Sequence, residues 1–354
     1  MKKYIGMDVH LATTVVAVVD SEGRLLMETI LATQGASIVA FLQSLSGPLW
    51  VTFEEGSQAH WLYGLVEPHV ERAVVCDPRK NASLKKGNKS DRIDARKLAE
   101  LLRAGLLTPV YHRLSRWGEL KEAGRSYLTL TQDTTRAMNR LKALYRGRGI
   151  ACRGQRVYSP RYRAGWLEQL PDGATRRRAE RLYDQLDTGQ ALRHEAKRDL
   201  LAQARRHPAH PWLRSIPRLG PLRAALLIAL VQTPHRFRTK RQLWAYAGLA
   251  LVTRTSAEYL LVNGRVVRST KPVALRGLNP NHHHELKNLF KGAATTARRL
   301  PGPWQEFYQL RLDQGMKPEL ARLTVARKIA AVALHLWKKG ETYDADFKLK
   351  AQAA

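Results

Sequence analysis

The chain is poor in cysteine, in long apolar runs and in acidic residues. Cys76 and Cys152 are far apart, with no neighbouring cysteine or paired histidine at zinc spacing, so neither a disulfide framework nor a zinc site is expected. No apolar run is long enough to span a bilayer, and MKKYIGMDVH passes directly into strand-like sequence, so neither a membrane span nor a signal peptide is expected. A reducing cytoplasm fits these absences. Acidic residues are the third shortage: 30 Asp and Glu face 60 Lys and Arg in 354 residues, a formal net charge of +30. Solubility needs far less, and with membranes set aside the expected polyanionic partner is nucleic acid.

What is present organises into two or three domains, with 44% hydrophobic residues to build cores. YIGMDV, TTVVAVV and RLLMETIL read as consecutive strands, ASIVAFLQSL as a helix, LWVTFEE as a buried strand, SQAHWLYGLVEPH as a helix capped by Ser57, and RAVVCDP as another strand. After the lysine-rich loop KNASLKKGNKS comes the helix of KSDRIDARKLAELLRAG, and the order βββαβαβα predicts an α/β layer domain with a mixed sheet.

From about His112 strand signals cease. An apolar seam at Trp117, Leu120, Gly124, Tyr127, Thr131, Thr134, Met138, Leu141 and Tyr145 predicts a long helix in a coiled coil or antiparallel hairpin, weakened at Gly124, Thr131 and Thr134. TRRRAERLYDQLDTGQALRHEAKRDLLAQARR is a second helical stretch, and the excess of arginine predicts an arm that faces nucleic acid. RHPAHPW marks a boundary. LRSIPRLGPLRAALLIALV then reads as helix, tight turn, helix, TKRQLWAYAGLAL as a helix ending at Gly248, and Asn263-Gly264 as a turn between extended segments. The remainder is helical. His282, His283 and His284 point in different directions from an extended segment and read as a polar loop facing nucleic acid.

The acids repay attention because they are few. Asp8 lies on the first strand, Glu54 and Glu55 end the buried strand, and Asp91 and Asp94 share a face of the later helix at i, i+3 spacing. Ser90 and the helix dipole account for part of the helix pair as capping. A carboxylate on a buried strand is expensive unless something neutralises it, and two such strands each carry one. Four carboxylates from two strands and one helix turn suit two Mg²⁺ ions in a phosphodiester-cleaving site. Alternation admits only one of Glu54 and Glu55. His10 lies on the same side of its strand as Asp8, near this site.

Together YIGMDVH, VTFEEGSQAHW and KSDRIDARKLAELL resemble the N-terminal ribonuclease H-like (RuvC-like) domain of the DEDD transposases of the insertion-sequence one-ten family, described as bridge-RNA-guided recombinases. LRSIPRLGPLRAALL and FRTKRQLWAYAGLALVTRTS resemble that family's C-terminal transposase domain. The resemblance implies an α/β plus α fold: a RuvC-like DEDD domain over 1–112, a helical coiled-coil arm over 113–210, a mainly helical transposase domain over 211–345, and a tail over 346–354. It implies Asp8, Glu54, Asp91 and Asp94 as catalytic metal ligands, with Glu55 still open because the text reads Glu-Glu-Gly-Ser. Counted from Ala247-Gly248-Leu249, it also implies Ser256 as a nucleophile forming a covalent protein-DNA intermediate, although Ala257 replaces the family's glycine and LRGLNPNHHHELK replaces its later Lys/Arg-Gly-Asn region. Ser215, Thr255 and Ser269 are the local competitors.

The implied activity is RNA-guided strand cleavage and exchange with Mg²⁺ as cofactor. Donor DNA, target DNA and a structured bridge RNA are the partners, and Lys85, Lys86, Lys89, Arg92 and Arg254 would hold their phosphates. Strand exchange between two duplexes and the heptad seam predict a homodimer or homotetramer, in a bacterial cytoplasm and on the nucleoid when active. Two other readings compete: a RuvC-like nuclease or junction resolvase that uses water, and a non-catalytic nucleic-acid-binding scaffold whose acids only cap and pair.

Overall fold

Three β-branched or alternating runs form β1 (Lys3–Val9), β2 (Thr13–Val19) and β3 (Leu25–Ala32), an antiparallel meander. The computed structural model describes residues 1–81, 90–113, 116–253, 259–268 and 275–344. The chain divides into two units, Met1–Ser115 and Arg116–Ala354. In the first, α1 (Gly35–Ser44) leads to β4 (Leu49–Glu54) parallel to β1, and α2 (Ala59–Val66) leads to β5 (Arg72–Cys76) parallel to β4. The sheet order is β3-β2-β1-β4-β5, a mixed sheet as expected. Ser57 does not cap α2: the N-cap is Gln58, which makes no side-chain cap.

The two sheet faces are covered differently. Ile5, Met7, Val16, Val18, Val51 and Phe53 pack with Ile38 and Leu42 of α1 and Leu62 and Val66 of α2 in one core. After the short α3 (Pro78–Asn81), α4 (Asp91–Arg103) crosses the opposite face over β1, β2 and β4, burying Ala95, Leu98, Ala99 and Leu102. Gly6 lets it in, since a Cβ there would stand 2.1 Å from the Ala95 carbonyl oxygen and 2.5 Å from the Ala99 amide nitrogen. The helix backbone therefore lies directly on the strand.

The second unit opens with α5 (Gly118–Arg146), continues through the short α6 (Arg163–Glu168), and returns along α7 (Ala174–Arg205). The two long helices run antiparallel: Tyr145 pairs with Tyr183 (3.2 Å between hydroxyls), Thr134 lies against Gly189, and Trp117 stacks on His207. Gly124 and Thr134, two of the three weak points of the predicted seam, lie at close approaches of α5 to other helices. A Cβ on Gly124 would stand 2.7 Å from that of Ala229, and one on Gly189 would stand 3.1 Å from the Thr134 hydroxyl. The solvent side of α7 carries exposed Arg177, Arg178, Arg181, Arg198 and Arg205.

Next come α8 (Ala209–Arg214), α9 (Gly220–Val231), α10 (Lys240–Tyr246), α11 (His284–Ala297), α12 (Pro303–Asp313) and α13 (Pro318–Lys339). They bury Leu213, Ile228, Leu243, Phe290, Trp304 and Ile329 in a core that also takes Leu120 of α5 and Leu200 of α7. Two small ribbons lie between α10 and α11: β6 (Leu251–Thr253) with β9 (Leu275–Leu278), and β7 (Tyr259–Val262) with β8 (Arg265–Arg268). Positive φ at Asn263 (50°) and Gly264 (74°) makes the expected tight turn between β7 and β8. Among the described residues no helix is long and apolar enough to cross a membrane.

Candidate metal centre

Alternation along β1 and β4 sorts the acids by face. Ile5 and Met7 enter the core with α1 and α2, so Gly6 and Asp8 face α4. By the same rule Leu49, Val51 and Phe53 face α1 and α2, while Thr52 and Glu54 face α4. Met7 is in register with Phe53, so Asp8 and Glu54 finish adjacent parallel strands on the same side. Glu55 is directed elsewhere: its Oε2 pairs with His112 Nε2, whose ring lies against those of Tyr63 and His60.

α4 starts over this strand end. Ser90 is its N-cap and accepts from the Ile93 amide at 3.3 Å, placing Asp91 and Asp94 in the first turn at the positive end of the helix dipole. With Ala95 and Ala99 seated over Gly6, the first turn projects past Gly6 towards Asp8. Donor atoms of Asp8, His10 and Asp91 accordingly lie within 4.8 Å of one another. His10 Nε2 is 3.4 Å from Asp8 Oδ2 and 3.5 Å from Asp91 Oδ2. Asp94, half-buried one turn on, and Glu54 share the face but are not members of this group. Arg92 is exposed beside it.

In the second unit the helical hairpin around Gly220 forms between α8 and α9, with positive φ at Arg218 (68°) and Gly220 (65°). Ser215 is occupied there, donating to the Trp212 carbonyl (2.6 Å) and accepting from the Tyr343 amide (2.7 Å), which argues against a nucleophilic role. Gly248 ends α10 at φ 63°, and a Cβ there would stand 2.4 Å from His282 Cγ. The histidine run differs from the expected loop facing nucleic acid. His282 packs on Gly248 with Nδ1 2.6 Å from the Asn279 carbonyl, so its proton sits on Nδ1. His283 caps α11, lies against Tyr246, and is held below the usual histidine range by burial. Only His284 of the three is exposed. Lys85, Lys86, Lys89, Arg254, Thr255, Ser256, Ala257 and Ser269 lie outside the described residues.

Residues 5–147 match the DEDD family model described as Transposase, and residues 210–309 match the model described as Transposase IS116/IS110/IS902 family. The chain belongs to the IS110 family of DEDD transposases. No curated protein matches it. IS110-family membership makes it a DNA transposase or recombinase, an enzyme that transesterifies DNA strands. The first match covers the sheet from Ile5 on, takes in α4 and ends just past α5; the second takes in the turn around Gly220, α10 and both small ribbons. DEDD transposases typically use a divalent metal, and the donors here fit one. Asp8 and Asp91 offer carboxylate oxygens, the hard ligands that Mg²⁺ takes alongside water, and Asp91 is open to solvent where such water is available. Sequence reasoning placed His10 beside this site as a supporting residue outside the ligand set, and it did not pair His112 with Glu55. The partnership of Glu55 is long-range and had no signal in the sequence.

Proposed function

We propose that the chain is an RNA-guided DNA recombinase in which Asp8, Glu54, Asp91 and Asp94 hold divalent metal ions that serve Ser256 as nucleophile. The observation that carries this reading is the meeting of Asp8 and Asp91 at the carboxyl end of β1, from a strand and a helix distant in the sequence. The sheet order, with α4 across it, supports a ribonuclease H-like (RuvC-like) reading of the first unit. Bound there, Mg²⁺ would polarise the phosphodiester and stabilise the departing oxygen. In the proposed step Ser256 Oγ bonds to phosphorus as the bond to the deoxyribose oxygen breaks. The serine proton passes to solvent and the released strand end is protonated. The ester to the protein conserves the phosphodiester bond, so a strand hydroxyl reverses the exchange without ATP.

The other chain residues bind and position. Lys85, Lys86, Lys89, Arg92 and Arg254 hold phosphates, and the arginine side of α7 holds nucleic acid along the arm. Base pairing with a bridge RNA, rather than side chains, reads donor and target. Two copies or two pairs of copies bring the duplexes together, with the α5/α7 arm as an interface.

A suicide DNA substrate with the cognate RNA and Mg²⁺ tests the reading. Wild type should trap a covalent protein-DNA adduct, and Ser256→Ala should lose it while still binding DNA. An unchanged adduct in Ser256→Ala moves the nucleophile elsewhere, and cleavage with no adduct in wild type favours water. Asp91→Asn should slow strand transfer at least about a hundredfold. Full strand transfer in Asp91→Asn would overturn the metal-ligand role of Asp91, and absence of strand transfer and adduct in wild type, with DNA still bound, would favour the scaffold reading.

A further inference from the structure

His10 is built into the site by its backbone. Its N–H donates to the Thr13 carbonyl at 2.9 Å, and its carbonyl accepts from the Thr33 hydroxyl at 3.0 Å. That hydroxyl is 2.8 Å from the fully buried Thr14 hydroxyl, and because Thr33 donates onward, Thr14 supplies the proton between them. This relay fixes the residue that leaves β1 and leaves the imidazole half-exposed over the cluster. Nε2 stands almost equally far from two carboxylate oxygens, at 3.4 and 3.5 Å. Both separations exceed the usual N–H···O range of about 2.7–3.2 Å, so the ring is committed to neither as a hydrogen-bond donor. They approach the spacing of neighbouring donors around a six-coordinate ion, roughly 3 Å for bonds of about 2.1 Å.

We infer that His10 is a nitrogen ligand to the ion shared by Asp8 and Asp91, and that it turns this position towards Mn²⁺ in preference to Mg²⁺. Mg²⁺ takes oxygen and gives up water reluctantly, whereas imidazole nitrogen favours first-row transition ions. The inference rests on the carboxylate reading of the centre proposed above. The competing role for His10 is a cation lodged between two aspartates, which needs no metal and gives no metal-nitrogen coupling.

Titration of the full chain with Mn²⁺ alone, read by electron paramagnetic resonance, separates these cases. Free Mn²⁺ gives the affinity, and electron spin-echo modulation from ¹⁴N reports an imidazole on the ion. Wild type should bind Mn²⁺ with ¹⁴N modulation. His10→Gln should lose that modulation and bind Mn²⁺ about tenfold or more weakly, with its Mg²⁺ affinity, measured by competition, changing far less. Mn²⁺ bound without ¹⁴N modulation, at an affinity unchanged in His10→Gln, overturns the ligand role and leaves the carboxylate site standing. Wild-type binding no stronger than in an Asp8→Asn/Asp91→Asn double variant overturns the carboxylate site itself, and the His10 inference with it. The half-exposed ring makes His10→Gln a conservative change, and circular dichroism verifies that the variant is folded.

Discussion

Two close approaches, one in each unit, use glycine for different ends. At Gly6 a helix lies on a strand, and the atoms a Cβ would meet are the carbonyl of Ala95 and the amide of Ala99. At Gly124 a helix lies on a helix, and the obstacle is the methyl of Ala229. Backbone cannot rotate aside, and Ala229 can be shortened. The consequences differ as well. In the first unit the approach brings Asp91 to Asp8 and leaves a polar cluster at an open edge. In the second it closes an apolar core that holds Leu120, Ala229 and Trp337, beside which the buried His207 accepts the Ala209 amide. The first contact brings distant acids together, and the second carries architecture.

The largest expected effect is at Gly6. Gly6→Ala drives a methyl into the α4 backbone, so destabilisation of the first unit by about 4 kcal/mol or more is expected, with loss of the Asp8–Asp91 meeting. Thermal unfolding and Mn²⁺ binding measure the two losses, and a variant that unfolds like wild type would remove the distinction drawn above.

Acid comes next, acting on the second unit. His207 is buried between Trp117 and Trp337, and its Nδ1 accepts the Ala209 amide at 3.1 Å. Burial, then the charges of Arg116 and His210, push its pKa down to about 4. The unfolded chain binds this proton near pH 6.5 and the folded chain near 4, so the unfolded state holds more protons in between. Stability is therefore full above about 6.5 and is lost as pH falls towards 4, by about 3 kcal/mol. Denaturant unfolding at stepped pH reads the slope. His207→Gln should flatten most of it, with His210, lowered mainly by burial, accounting for the remainder.

Gly124→Ala is the smallest test and the sharpest foil to Gly6→Ala. It should cost about 1–3 kcal/mol, and Ala229→Gly in the same chain should restore much of that loss, because the obstacle is a side chain. No single side-chain truncation can rescue Gly6→Ala. Failure of the Ala229→Gly rescue in unfolding experiments would put the two glycines on the same footing.

Much of the fold was legible because its signals are local. The β-branched runs of β1 and β2, the Ser90 cap, the acids of the α4 first turn and the Asn263-Gly264 turn each act within a few residues. The Ser57 cap was misread because Ser57 falls one residue before the N-cap that the chain adopts. His282 and His283 were misread because their partners, Gly248 and Tyr246, come from a helix end that sequence proximity does not reveal.

The amino-acid sequence alone determined the strands, the helices and the pairing of Asp91 with Asp94 on one helical face, since periodicity and capping are short-range physics. It also limited the strand-end acid to one of Glu54 and Glu55. Which of them shares the face of Asp8 was decided only by the tertiary structure, because alternation separates two faces but does not say which one α4 will cover. Gly6 supplied that choice by admitting helix backbone on its own side, and the same packing placed Asp91 beside Asp8 and His10.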